Sequence, residues 1–260
     1  STTFCSRYNF NMPKDINSGS SSGISPFGNT DFTAVGNTLY FTADDGTNGE
    51  ELWKSDGTAY GTVMVKDINS GSGSSSSYYL TAVGNTLYFR ADDGTNGYEL
   101  WKSDGTASGT VMVKDIVSGS GHSYPTSLTA VGNTLYFEAN DGINSWELWK
   151  SDGTTSGTVM VKDINSGSGS SSLSELTAFG NTLYLRANDG TNGTELWKSD
   201  GTAAGTVMVK DINSGSGSSD PTHLTAVGNT LYFAANDGTN GWELWKSDGT
   251  ASGTVMVKDI

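Results

Sequence analysis

The chain has one cysteine, Cys5, so no disulfide can form within it. A thiol left alone in this way is a candidate for pairing between chains. There are two histidines, His122 and His223. That is too few for a histidine-based transition-metal site, and neither stands at a fixed spacing from serine and aspartate that would orient a base toward a nucleophile. Lysine and arginine total 14 against 28 aspartates and glutamates, for a net charge of −14. Such an excess argues against nucleic acid, whose phosphates need cationic partners, and against docking on anionic lipid. No apolar run approaches the ~18 residues of a membrane-spanning helix. No segment keeps a helical apolar period over about ten residues. Sparse lysine, abundant serine, threonine, glycine and asparagine, and a first residue that is serine rather than methionine suit an exported protein. The expected location is extracellular or on the cell surface.

What the chain does have is repetition. Glu51-Leu52-Trp53-Lys54-Ser55-Asp56-Gly57-Thr58 recurs at residues 99–106, 147–154, 195–202 and 243–250, always 48 residues on, with no insertion or deletion. A fixed period of that size marks a solenoid, a propeller or an array. Five full units begin at Phe32, Leu80, Leu128, Leu176 and Leu224. One such unit buries too little surface to stand alone, so the units must share a core.

Each unit reads as four strands. In the first unit these are residues 33–35, 38–43, 51–55 and 62–68. Gly36-Asn37 is a two-residue hairpin signal, and the turn at 44–49 carries glycine and asparagine where positive φ is wanted. Leu39, Phe41 and Ala43 alternate with Thr38, Tyr40 and Thr42, and Leu52 and Trp53 point to opposite faces. A sheet that is apolar on both faces needs a neighbour on each side, which blades ranked around an axis supply. The Ser/Gly-rich stretches between units, such as 69–76, then serve as crossovers from one blade's outer strand to the next blade's inner strand. They are long enough for that path.

The motif followed by Gly-Thr-Val-Met-Val-Lys-Asp-Ile resembles the ELWxxDGT repeat of bacterial and hyalin-like proteins, across residues 32–260. The resemblance implies a β-propeller that is secreted or on the cell surface, and implies no reaction. The expected fold is all-β: a five-bladed β-propeller of four-stranded antiparallel blades over 32–260, with an N-terminal extension, 1–31, that carries an extra edge strand.

That extra strand is residues 11–16. Met12-Pro13-Lys14-Asp15-Ile16 matches the end of a repeat, as in Met64-Val65-Lys66-Asp67-Ile68, but blade five already has its own fourth strand. Pro13 stands where the other copies have valine, and proline belongs on an edge strand. Phe10, Asn11, Met12, Pro13, Lys14, Asp15 and Ile16 are therefore the candidate assembly strand. They would cap their own ring, displace its last strand, or add to a neighbouring molecule; the last route leads to an oligomer or filament with Cys5 close to the junction, and the expected function is that of a non-catalytic structural or surface protein that self-assembles by donating this strand to a neighbouring propeller.

Catalysis is not expected. Asp45, Asp93, Asp141, Asp189 and Asp237 occupy equivalent sites, and paired acids need different environments to divide the roles of acid and base. No metal site is expected. The turn at 44–48 is a loose match to a calcium loop, the one cofactor it suggests, and Gly46 fails the required spacing. The units differ most at Thr42, Arg90, Glu138, Arg186 and Ala234, at Glu50, Tyr98, Trp146, Thr194 and Trp242, and just before the inner strand, as at Tyr78-Tyr79 and Thr222-His223. Of these, Tyr79, Tyr98, Trp146 and Trp242 are candidates to face a ligand by stacking on sugar rings. The alternative to self-assembly is thus a carbohydrate-binding lectin with repeated pockets, similar in repeat length to tachylectin-type five-bladed lectins.

Overall fold

The computed structural model describes residues 14–18, 22–24 and 32–260. Its twenty strands form five antiparallel sheets of four. Blade 1 holds β1 (Thr33–Val35), β2 (Thr38–Asp44), β3 (Glu50–Ser55) and β4 (Val63–Lys66). Blade 2 holds β5 (Tyr78–Val83), β6 (Thr86–Asp92), β7 (Tyr98–Ser103) and β8 (Val111–Lys114). Blade 3 holds β9 (Thr126–Val131), β10 (Thr134–Asn140), β11 (Trp146–Ser151) and β12 (Val159–Lys162). Blade 4 holds β13 (Ser174–Phe179), β14 (Thr182–Asn188), β15 (Thr194–Ser199) and β16 (Val207–Lys210). Blade 5 holds β17 (Thr222–Val227), β18 (Thr230–Asn236), β19 (Trp242–Ser247) and β20 (Val255–Lys258). Strand order follows the sequence within every sheet. The first strands of successive blades lie against one another, which makes them the inner strands. This is the five-bladed propeller layout, and no helix occurs among the described residues.

Local chemistry closes each blade. Gly36 takes φ +59° in the first hairpin, beyond the reach of most side chains. In the second turn the Asp45 carboxylate accepts the N–H groups of Thr47 and Asn48, each at 2.9 Å, and the Asn48 side-chain amide at 2.8 Å. Those donors hold the Asp45 carboxyl below its ordinary range, the Asn48 N–H foremost. The fourth strand is shorter than its sequence pattern: Thr62 works in the turn before it, and Ile68 leaves the ladder to enter the crossover.

The core lies between blades. Tyr88, Leu100 and Val113 on one face of blade 2 meet Leu135, Phe137, Ala139 and Trp149 of blade 3. Equivalent clusters join blades 1 and 2, 3 and 4, and 4 and 5. Leu52 and Trp53 serve opposite interfaces, as their alternation requires. Burying a side chain of this size stabilises by roughly 1.5–3 kcal/mol, so each interface is a substantial part of the fold.

No apolar cluster of described residues joins blade 5 to blade 1. On blade 5, Leu244 is 41% exposed, Val257 45% and Val227 59%, whereas Leu52, Leu100, Leu148 and Leu196 are fully buried. On blade 1, Leu39 is 37% exposed, while Leu87, Leu135, Leu183 and Leu231 are fully buried.

Candidate functional site

The eight-residue motif is the first candidate, and its side chains work on the architecture. Glu99 is fully buried and receives the N–H groups of Ile116 (3.0 Å), Val117 (3.4 Å) and Ser123 (3.0 Å), and the Ser123 hydroxyl at 2.5 Å. It pins both ends of the crossover into blade 3, as Glu51 and Glu195 do for theirs. Burial outweighs these donors and raises the Glu99 and Glu147 carboxyls to about 7. Leu and Trp fill the interfaces. Lys54 donates to the Gly105 carbonyl of the next blade at 2.8 Å, and Lys102, Lys150 and Lys198 repeat the bond. Asp56 accepts the Thr58 N–H and hydroxyl, folding the last turn. Gly105 sits at φ +88°, and a Cβ there would lie 2.4 Å from the Tyr40 hydroxyl of blade 1. Both facts require glycine.

The second candidate is the assembly strand. Phe10, Asn11, Met12 and Pro13, like Cys5, lie outside the described residues. Lys14, Asp15 and Ile16 do not lie outside blade 5. They lie on the flank of blade 1, in the place a preceding blade's fourth strand and crossover would take. Lys14 donates to the Thr62 carbonyl at 2.8 Å and stands 5.5 Å from the Trp53 ring centroid. Lys66 makes the same pair of contacts with Thr110 and Trp101, at 2.9 and 5.6 Å. Ile16 and Ile24 pack on Phe41, Ala43 and Trp53. Asn17 approaches Gly46 as Asn69 approaches Gly94. The Gly23 carbonyl accepts the Asp44 N–H at 2.9 Å, as Ser75 accepts that of Asp92. Register with the repeat therefore holds at Lys14, Asn17 and Gly23, and in sequence the four residues by which this connection exceeds the others fall between Gly23 and Phe32.

The third candidate lies on the crossover side of blades 2 and 3. The Arg90 guanidinium carbon stands 4.8 Å from the Tyr79 ring centroid, 5.1 Å from Tyr98, 5.6 Å from Tyr78 and 6.0 Å from Tyr124. Tyr124 stacks on Tyr98 at 5.4 Å and on Trp146 at 6.2 Å. His122 joins them at 4.9 Å from Tyr124 and accepts the Tyr98 N–H through Nδ1 at 2.9 Å. Three of the four expected ligand-facing residues, Tyr79, Tyr98 and Trp146, are thus gathered into one patch. Trp242 is exposed on blade 5, away from it. Arg90, His122 and Tyr124 complete the patch; the signal for Tyr124 was its place where the other units carry Ser76, Ser172 and Asp220. Tyr124 and Tyr79 have φ +46° and +59°, but so do the matching residues of the other crossovers. That backbone belongs to the repeat and does not single out the patch.

In blades 3 and 4 the variable charges are engaged internally. Glu138 accepts the Leu173 N–H at 3.1 Å, and burial raises its carboxyl. Arg186 pairs with Asp220 at 2.9 Å, and Glu175 accepts the Leu224 N–H at 3.3 Å. Among the described residues no group of three or more His, Cys, Asp or Glu is placed to hold a metal ion.

No family model and no curated protein sequence matches this chain. Solved structures do. Puromycin hydrolase (S511A mutant, complexed with PGG) matches with TM-score 0.53 and 13% identity over 88% of this chain and 38% of its own. Prolyl oligopeptidase B from Galerina marginata, bound to a 35mer substrate, matches with TM-score 0.56 and 13% identity over 89% of this chain and 37% of its own. A puromycin-hydrolyzing peptidase from Mycobacterium tuberculosis matches with TM-score 0.52 and 10% identity over 88% and 36%. The chain spans less than two fifths of the length of these peptidases. At such identity the likeness is one of fold alone.

Proposed function

We propose that this chain is a non-catalytic structural protein, extracellular or on the cell surface, that associates with copies of itself. The observation that carries the reading is the flank of blade 5. Leu244 and Val257 are exposed there, although the same residues are buried in every other blade by the blade that follows. A contiguous apolar face of this kind marks an interaction surface. The non-catalytic reading is supported by the use made of the acids: each buried glutamate is tied to its own crossover, and equivalent aspartates share one environment. Light scattering and negative-stain microscopy on the intact chain test the proposal. Association that grows with concentration is expected; a monomer at every concentration up to the millimolar range would end it.

A second reading rests on the Arg90 patch. Stacked tyrosine, tryptophan and histidine rings present amphipathic faces suited to sugars, so a glycan-binding role is the alternative. A glycan array decides it. A specific hit lost in Tyr124→Ala and Trp146→Ala, with unchanged melting, supports binding at this patch.

A further inference from the structure

Granting self-association, the geometry points to its partner surface and its control. We infer that the flank of blade 5 docks on blade 1 of a second copy, and that residues 14–18 and 22–24 are a plug occupying that receiving surface. The four internal interfaces are the template. In each, a lysine of the third strand donates to a glycine carbonyl of the next blade, and a tyrosine hydroxyl stands beside that same glycine. A lysine at the end of the fourth strand donates to the next blade's threonine carbonyl. At blade 5 the corresponding Lys246 and Lys258 have no such partner among the described residues, and Ile260 is 91% exposed. At blade 1 the complementary surface is present: Gly57, whose Cβ position meets nothing within 4 Å, and the exposed Leu39. Lys258 and Ile260 would take the places now held by Lys14 and Ile16, residue for identical residue.

The plug explains why the two flanks of one chain do not meet. Blade 5 keeps its own fourth strand, and the matching place on blade 1 is filled, so the blade cannot enter whole. Closure within one chain would also require the four close-packed interfaces to rotate together, against their dense packing. Docking on a second copy leaves them unchanged. The contact is heterologous, joining two different surfaces, and propagates as a filament. A plug closed in nine molecules of ten weakens apparent docking about tenfold.

The test compares four proteins in a Cys5→Ser background: the intact chain, the chain lacking residues 1–24, Ile16→Asp, and Ile16→Asp with Leu244→Glu. A thiol placed by Val227→Cys reports whether the blade 5 flank is covered. Removing or weakening the plug is expected to lower the association threshold at least about tenfold and to protect the thiol in elongated particles; Leu244→Glu is expected to abolish both. Ile16→Asp keeps the experiment decisive if the truncated chain does not fold. Loss of assembly on removing the plug would instead assign residues 10–16 as a donated strand and overturn the inference. So would a monomer with a protected thiol, which means closure in one chain, or a threshold that does not move. If no protein associates at any concentration, it is self-association itself that fails.

Discussion

Glu99→Gln tests the physics of the motif most directly. The carboxyl is fully buried and raised from an ordinary 4.5 to about 7. The folded protein therefore holds this proton up to about pH 7, while the unfolded chain releases it near 4.5. Between those values the native state binds more protons, so stability falls as pH rises. The contribution is fully present below the unfolded value and lost through the folded one. From pH 5 to pH 8 the loss is on the order of 2–3 kcal/mol for this one group. The retained proton has a natural seat between the Glu99 carboxyl and the Ser123 hydroxyl, 2.5 Å apart. Glutamine keeps the shape and does not titrate; its one oxygen can replace only one of the two carboxylate oxygens, which accept the Ile116 and Val117 N–H groups separately, so the variant loses an acceptor at a cost that does not change with pH. Its melting temperature is expected to fall less than the wild type's over that range, by about 5 °C or more at ~2–4 °C per kcal/mol. Calorimetry at pH 5, 6, 7 and 8 reads the difference. A wild type more stable at pH 8 than at pH 5, or a variant that falls in parallel with it, would show that the four donors outweigh burial and would refute the reasoning.

Other outcomes exploit the repeat as its own control. Leu148→Ala is expected to cost about 2–5 kcal/mol, as buried leucines do, and Leu244→Ala under about 1 kcal/mol as a monomer, measured by urea denaturation. Gly105→Ala is expected to cost more than Gly57→Ala. Both take positive φ, but only at Gly105 would the added methyl meet the Tyr40 hydroxyl; thermal melts of the two variants check the order. Trp146→Ala, on a half-buried surface ring, should shift the melting midpoint far less than Trp149→Ala, which opens an interface and costs about 3–5 kcal/mol.

The fold was legible because the repeat makes its demands five times over. Leu52 and Trp53 face opposite ways, so a neighbour was needed on both sides, and the interfaces supply it. The crossover path followed from chain length, and the turn at 44–48 from its aspartate and asparagine. The site was less legible. A local pattern identifies Lys14 and Ile16 as a copy of Lys66 and Ile68 but cannot say which flank the copy will cover. That depends on which face each blade leaves open, a property of the whole stack. The role of Glu99 was hidden for a related reason: its donors come from residues 17 to 24 positions on, where the sequence is mostly serine and glycine. Tyr124 was missed because it sits one residue before Pro125 in a crossover whose relatives carry small polar side chains there.

Near-identity of the units also narrows where activity can reside. A carboxyl raised by burial beside aspartates held low would, in an asymmetric pocket, suggest an acid and a base. Here Glu99 and Glu147 have no exposed surface, and their oxygens face main-chain donors of the same chain. No substrate proton can reach them. What five equal units cannot supply, the departures from equality must. They are the Arg90 patch, the copied segment on blade 1, and the uncovered flank of blade 5. The last two carry the same residues, Lys14 and Ile16 against Lys258 and Ile260, so they compete for one surface of blade 1, and the proposed self-association rests on that surface. The first has no counterpart in the other described blades, so a ligand bound there would be bound once per chain. Stoichiometry therefore separates the readings: one glycan per chain is expected from the patch, several from a lectin with a pocket in each blade.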